Sequence, residues 1–150
     1  MANELYLSTK FIVDAFTDNK LINTITYEKT NDIDLNKSNI FPLINIDIIE
    51  SSMVEEMIYF NYLITIVSDR NVENTLNNDK IFNSNMVDNL NECHSIAVKF
   101  VNNVKSQYNN ASDIEISQVS TIRMLKFNNT NILDGVQFNL QLEIPNTTEC

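Results

Sequence analysis

The sequence predicts an α+β domain: an N-terminal helix and one long central helix packed on one face of an antiparallel or mixed sheet of about five or six strands. Three observations lead there. Apolar residues alternate with period two in several separate stretches, the mark of half-buried strands; the spacing turns helical over residues 3–16 and 86–108; and no repeat or linker divides the chain. A single domain covering residues 1–150 follows, and a chain of this length buries roughly 70% of the surface it exposes when unfolded, enough for one core.

From Asn3 to about Phe16, Leu5, Leu7, Phe11, Ile12, Ala15 and Phe16 recur at mostly helical spacing, with Asn3 placed to cap the first turn. Ile22 to Tyr27 alternates as a short first strand, and the polar stretch Glu28 to Asn39 reads as a loop. Pro42 takes the strand-starting or edge position that proline tolerates. Beyond it Ile44, Ile46 and Ile48 occupy one face of a strand, and Asn45 and Asp47 the other. The run from Met57 sets Ile58, Phe60, Tyr62, Ile64 and Ile66 against Tyr59, Asn61, Leu63, Thr65 and Val67, so both faces are substantially apolar. Such a strand is either central and covered on both sides, or it buries its second face against a neighbour.

After a polar connector, Ser84 is placed as an N-cap and Asp88 in the first turn of the longest helix. Its stripe of Met86, Leu90, Cys93, Ala97, Phe100, Val101, Val104 and Tyr108 would supply on the order of 12–20 kcal/mol if fully buried, before chain entropy is subtracted. The pattern then changes phase near Val119 and Ser120, which implies two short strands or one strand broken by a bulge. In the last strand Val136, Phe138, Leu140, Leu142 and Ile144 point inward, and Gln137, Asn139, Gln141 and Glu143 outward. It should pair with TIRMLKF as a hairpin, Gly135 taking a backbone conformation closed to other residues.

The composition excludes more chemistry than it suggests. With 20 acidic and 10 basic side chains the formal net charge is −10, the reverse of a surface built to track phosphates, although it suits a surface that DNA slides past. A single glycine cannot build a phosphate-cradling loop. His94 and Cys93 are neighbours on a helix and point about 100° apart, so they do not form a nucleophile and base. Asp32, Asp34, Asp47 and Glu50 lack the spacing and glycine of a calcium loop and read as solvated carboxylates; Glu55 and Glu56 guard an apolar strand against wrong pairing. No catalytic, cofactor or metal site is expected, and the chain is not read as an enzyme. With no leader peptide, no apolar run of about 18 residues and only two cysteines, a reducing intracellular origin without a membrane span is expected. The abundant asparagine reflects either the codon bias of an AT-rich genome or amide networks at an interface.

Three pieces in order, FPLINIDIIES with the strand ending VSDRN, the helix DNLNECHSIAVKFVNNV, and the closing LDGVQFNLQLEIPN, resemble the small neck or tail-completion proteins of tailed bacteriophages, including the tail-terminator-like ring proteins of crAss-like phages. The likeness runs from about Asn3 to Asn146; Val136 stands where that family often carries an aromatic residue. The resemblance implies a tail-terminator-like fold and a structural virion protein, assembled in the host bacterial cytoplasm. It would form a homo-oligomeric ring, a dodecamer or else a hexamer, at the portal–tail junction. Other neck, portal and tail proteins would be its partners, and DNA would pass through its channel without sequence-specific binding. Phe41, Leu43, Tyr59, Leu63 and Val67 are the expected subunit interface; the competing expectation is that these five are buried beneath the N-terminal helix. The alternative function is an acidic DNA mimic that inhibits a DNA-processing enzyme.

Overall fold

The long strand from Met57 lies at the centre of a mixed six-stranded sheet. A computed structural model describes residues 3–27, 41–70, 86–107, 113–128 and 132–146. The elements run α1 (Glu4–Thr17), β1 (Thr24–Thr26), β2 (Leu43–Val54), β3 (Met57–Asp69), α2 (Met86–Gln107), β4 (Glu115–Val119), β5 (Arg123–Asn128) and β6 (Ile132–Pro145). The strand order is β1-β2-β3-β6-β4, with β5 also on β6. β1 pairs parallel with β2 over Leu43 to Asn45, and every other pairing is antiparallel. β4 and β5 follow one another along the far edge of β6, β4 opposite residues 140–143 and β5 opposite residues 132–137. The expected phase change is therefore two strands, with a register irregularity between Ile116 and Gln118 besides.

The period-two pattern decides which face takes the helices. Ile44 and Ile46, then Phe60, Tyr62, Ile64 and Ile66, then Val136, Phe138, Leu140, Leu142 and Ile144 are buried in one cluster with Ile12, Ala15 and Phe16 of α1 and Cys93, Ile96, Ala97, Phe100 and Val104 of α2. Phe100 stacks on Phe16 with ring centroids 4.0 Å apart and lies 6.1 Å from Phe138, so one aromatic ties both helices to the sheet. Tyr62 is fully buried because α1 satisfies its hydroxyl, through Ser8 Oγ at 2.5 Å and Thr9 Oγ1 at 3.2 Å.

The helical stripe differs in detail from its sequence reading. Ile96 and Asn89 are buried, whereas Met86, Leu90 and Val101 are half-buried. Asn3 occupies the N-cap of α1 without a side-chain capping bond; its carbonyl accepts from the Leu7 amide. The expected cap at Ser84, the stripe residue Tyr108 and the 28–39 loop lie outside the described residues.

Gly135 requires a correction. It has no positive φ, and it lies inside β6 rather than at its start: the β5–β6 hairpin closes at Asn128 opposite Ile132. Its value is steric. A Cβ there would fall 1.9 Å from the Ile66 carbonyl oxygen and 2.9 Å from Val67 Cα, both backbone atoms of the paired strand. Only glycine lets β6 approach β3 so closely. Gly135→Ala should therefore lower the free energy of unfolding by about 3 kcal/mol, measured by urea titration; an unchanged midpoint would refute the steric reading.

Candidate interaction surface

The face of the sheet turned away from the helices is where amide side chains collect. Strand register aligns Thr26, Asn45, Thr65, Gln137 and Arg123 across five strands. Along that row Thr26 Oγ1 donates to Asn45 Oδ1 at 2.7 Å, Gln137 Nε2 donates to Thr65 Oγ1 at 3.1 Å, and Arg123 Nη2 donates to Gln137 Oε1 at 3.3 Å. A second row runs Glu50, Asn61, Gln141 and Gln118. There Gln141 Nε2 donates to Asn61 Oδ1 and Asn61 Nδ2 donates to Glu50 Oε1, both at 2.9 Å. Gln137 and Asn61 each donate to one neighbour and accept from the other, so these side chains tie the sheet across its strands. An open cleft of about 360 Å³ follows the second row, lined by Ile49, Glu50, Asn61, Gln118, Ser120 and Gln141. At the next position Tyr59 hydrogen-bonds Glu143, which raises the phenol's pKa, with partial desolvation and the charge of Glu143 acting in the same sense.

The five expected interface residues divide. Leu43 and Val67 face each other across β2 and β3 and are fully buried; with Leu133, and with half-buried Phe41 packed against them, they form a small second core over Gly135. Enclosed within one chain, Leu43 and Val67 cannot meet a neighbour. They are nevertheless not under α1, which packs on the opposite face. Tyr59 and Leu63 stay half-buried.

Large exposed apolar side chains lie elsewhere, at Leu5, Tyr6 and Leu7 at the start of α1 and along β2. From Ile48 to Val54 that strand is exposed throughout, with Ile48, Ile49, Met53 and Val54 among the large apolar side chains in solvent. Beyond Asn45 no strand among the described residues pairs with the side of β2 away from β3. The alternation sets Ile48 on one face with Ile44 and Ile46, and its register opposite Tyr62 keeps that face; it is nevertheless exposed where they are buried, beyond the end of β1 at Thr26. The β2–β3 turn, Glu55 and Glu56, is acidic, and Glu55 sits at φ 56°, a region more often given to glycine or asparagine.

Titratable groups elsewhere serve the fold. Asp134 is fully buried and paired with Arg70, whose Nε donates at 2.9 Å and whose Nη2 closes a second bond. Beside this pair Asn89 Nδ2 donates to the Asp69 carbonyl at 2.9 Å and Cys93 Sγ to the Asp134 carbonyl at 3.8 Å, joining α2 to the ends of β3 and β6. Burial, then the charges of Glu92 and Asp134, push the Cys93 thiol up to about 12, which leaves it unreactive. His94 is half-buried on the helix flank. Among the described residues no cluster of His, Cys, Asp and Glu could hold a metal, and no helix is long and apolar enough to cross a membrane. Asp32 and Asp34 lie outside the described residues.

Searches of protein-family models and of curated proteins return no match to the chain.

Two outcomes follow for the Arg70–Asp134–Cys93 corner. Arg70→Ala strands a buried carboxylate and should cost about 3 kcal/mol in urea unfolding; a loss below half a kcal/mol would show the pair to be dispensable. The thiol's pKa is higher folded than unfolded, so its contribution is complete below pH ~9 and is lost as pH rises toward 12. Cys93→Ala should flatten that part of the stability–pH curve; an unaltered slope assigns it to other groups.

Proposed function

We propose that the chain is a structural ring protein of a tailed-phage neck, seated at the portal–tail junction, where identical copies surround the channel that DNA traverses. What carries this reading is the β2 edge. It is a stretch of strand from Ile48 to Val54 with four large exposed apolar side chains and no pairing strand among the described residues, and a lone domain gains nothing from such an edge, because open strands invite association. The resemblance of FPLINIDIIES, DNLNECHSIAVKFVNNV and LDGVQFNLQLEIPN to neck proteins supplies the setting. The polar outer face, the net charge of −10 and the scarcity of cations suit a wall that does not grip DNA.

Assembly as a ring needs heterologous contacts of roughly 1,200–2,000 Å² each. A twelve-fold particle is favoured and a six-fold one is compatible. Tyr59, Leu63 and Phe41, partly open on the outer face, and the exposed β2 residues are the surfaces offered to neighbours and to the portal and tail proteins. Localisation is accordingly the virion, after assembly in the bacterial cytoplasm.

Antibody–gold labelling of virions made from the genome that encodes the chain should mark the head–tail joint. Unlabelled virions, together with salt-sensitive inhibition of a DNA-processing enzyme by the free protein, would replace this reading with the DNA mimic.

A further inference from the structure

We infer that the outer-face cleft along the second amide row is a binding site for a neutral saccharide of one or two rings, held by Glu50, Asn61, Gln118, Asn139 and Gln141. The inference goes beyond the ring reading, and the site is complete within one chain. Two interruptions of register build it. After Ile48, which faces Tyr62 on the helix side, plain alternation would return Glu50 to that side; the extra residue Ile49 turns Glu50 to the outer face, opposite Asn61. After Ile116, which faces Leu142 on the helix side, plain alternation would return Gln118 to that side; the extra residue Ser117 turns Gln118 to the outer face, opposite Gln141. Asn61 and Gln141 face each other between them. Bulges in two strands that do not touch therefore deliver the two end members of one row to one face. Each disrupts its ladder and bends its strand, and a cleft of about 360 Å³ lies where the two converge, with Ile49 beside Glu50 in its lining.

The lining selects the ligand. It contains no Lys or Arg, Glu50 stands in it, and Glu143 and Glu115 form the next row, so phosphates and other anions are repelled. An apolar ligand finds little beyond Ile49, because the Leu140 side chain is buried on the helix side. Among the described residues no cluster of carboxylates could hold a metal. What the cleft does offer is amide donors and acceptors side by side. Gln141 Nε2 and Asn61 Nδ2 each spend one proton along the row, on Asn61 Oδ1 and Glu50 Oε1, and each nitrogen carries a second. The side chains of Gln118 and Asn139 are exposed and have no hydrogen-bond partner among the described residues. Sugar hydroxyls both donate and accept, so neighbouring pairs of them match planar amides, and the C–H face of a pyranose ring fits against Ile49. The bonds along the row hold the floor in place before a ligand arrives, as do those of the Ser120 hydroxyl with the Asn139 amide and the Thr121 carbonyl, which lowers the ordering cost of binding. The volume falls within the roughly 300–1,000 Å³ of small-ligand sites.

Side-chain amide NMR on the dilute, isotopically labelled chain tests the site, with D-glucose, D-galactose and D-mannose as probes. With at least one of them the signals of Asn61, Gln118, Asn139 and Gln141 should move together and saturate with a Kd of about 10 mM or tighter, while that of Gln137, in the first row, stays in place. Gln118→Ala and Asn139→Ala replace exposed side chains, so folding should persist, checked by circular dichroism, and each should weaken binding about tenfold. Gln137→Ala, outside the cleft, should leave it unchanged. The uronic acid of the sugar that binds should bind about tenfold more weakly, through repulsion by Glu50, and Glu50→Gln should narrow that gap. No saturable shift with any of the three sugars would overturn the assignment. So would shifts shared equally by Gln137, wild-type binding by both alanine variants, or tighter binding of the uronic acid than of its neutral parent.

Discussion

The close passage of β6 over β3 at Gly135 is the constraint on which the rest of the molecule depends. With no side chain there, the two strands pair without interruption from Met57 opposite Pro145 to Asp69 opposite Leu133. That unbroken register keeps five apolar residues of β6 in phase with those of β3 beneath the helices, and it keeps the amides of both strands together on the other side. It also brings Asp134 to the place where Arg70 neutralises it and Asn89 and Cys93 attach α2. A slip of one residue would exchange the two faces and put Gln137, Asn139 and Gln141 under Phe100.

Much of this was legible in the sequence. Strict alternation in β2, β3 and β6 identified the strands and their inward faces, and helical spacing located α1 and α2, because burial of one face imposes a period that composition alone does not. Glycine in the closing strand was recognised as special, yet its reason was hidden: close approach depends on which backbone lies opposite, and pairing is not local information. The same limit explains the divided interface set. That Val67 and Leu43 form cross-strand partners covering Gly135 follows from the β2–β3 and β3–β6 registers together, and no single stretch contains both. Ile48 shares a face with Ile44 and Ile46 by period, and that it is exposed while they are buried depends on how far β1 reaches along β2, which the period does not carry.

The asparagine and glutamine content acquires a structural role on the outer face. Amide rows bonded across strands satisfy one another at little electrostatic cost, with Glu50 and Arg123 at their ends. Acid is placed at the β2 edge and turn, base along β5, and the helices close the middle of the other face. A domain with an open edge and a rigid middle is suited to repetition around an axis. Heterologous joints of this type close only if each copy holds its shape, and the Gly135 contact and the amide rows both restrict shearing of the sheet.

The central claim is that the β2 edge, open in a single chain, becomes paired strand when copies assemble. Residue-resolved hydrogen exchange on dilute and concentrated protein tests it most directly. The outward-pointing amides of Ile48–Val54 should exchange rapidly in the monomer and become protected as particles form, while β3 and β6 stay slow throughout. Protection that appears instead on α1, or assembly that leaves this edge exchanging at the monomer rate, would contradict the account.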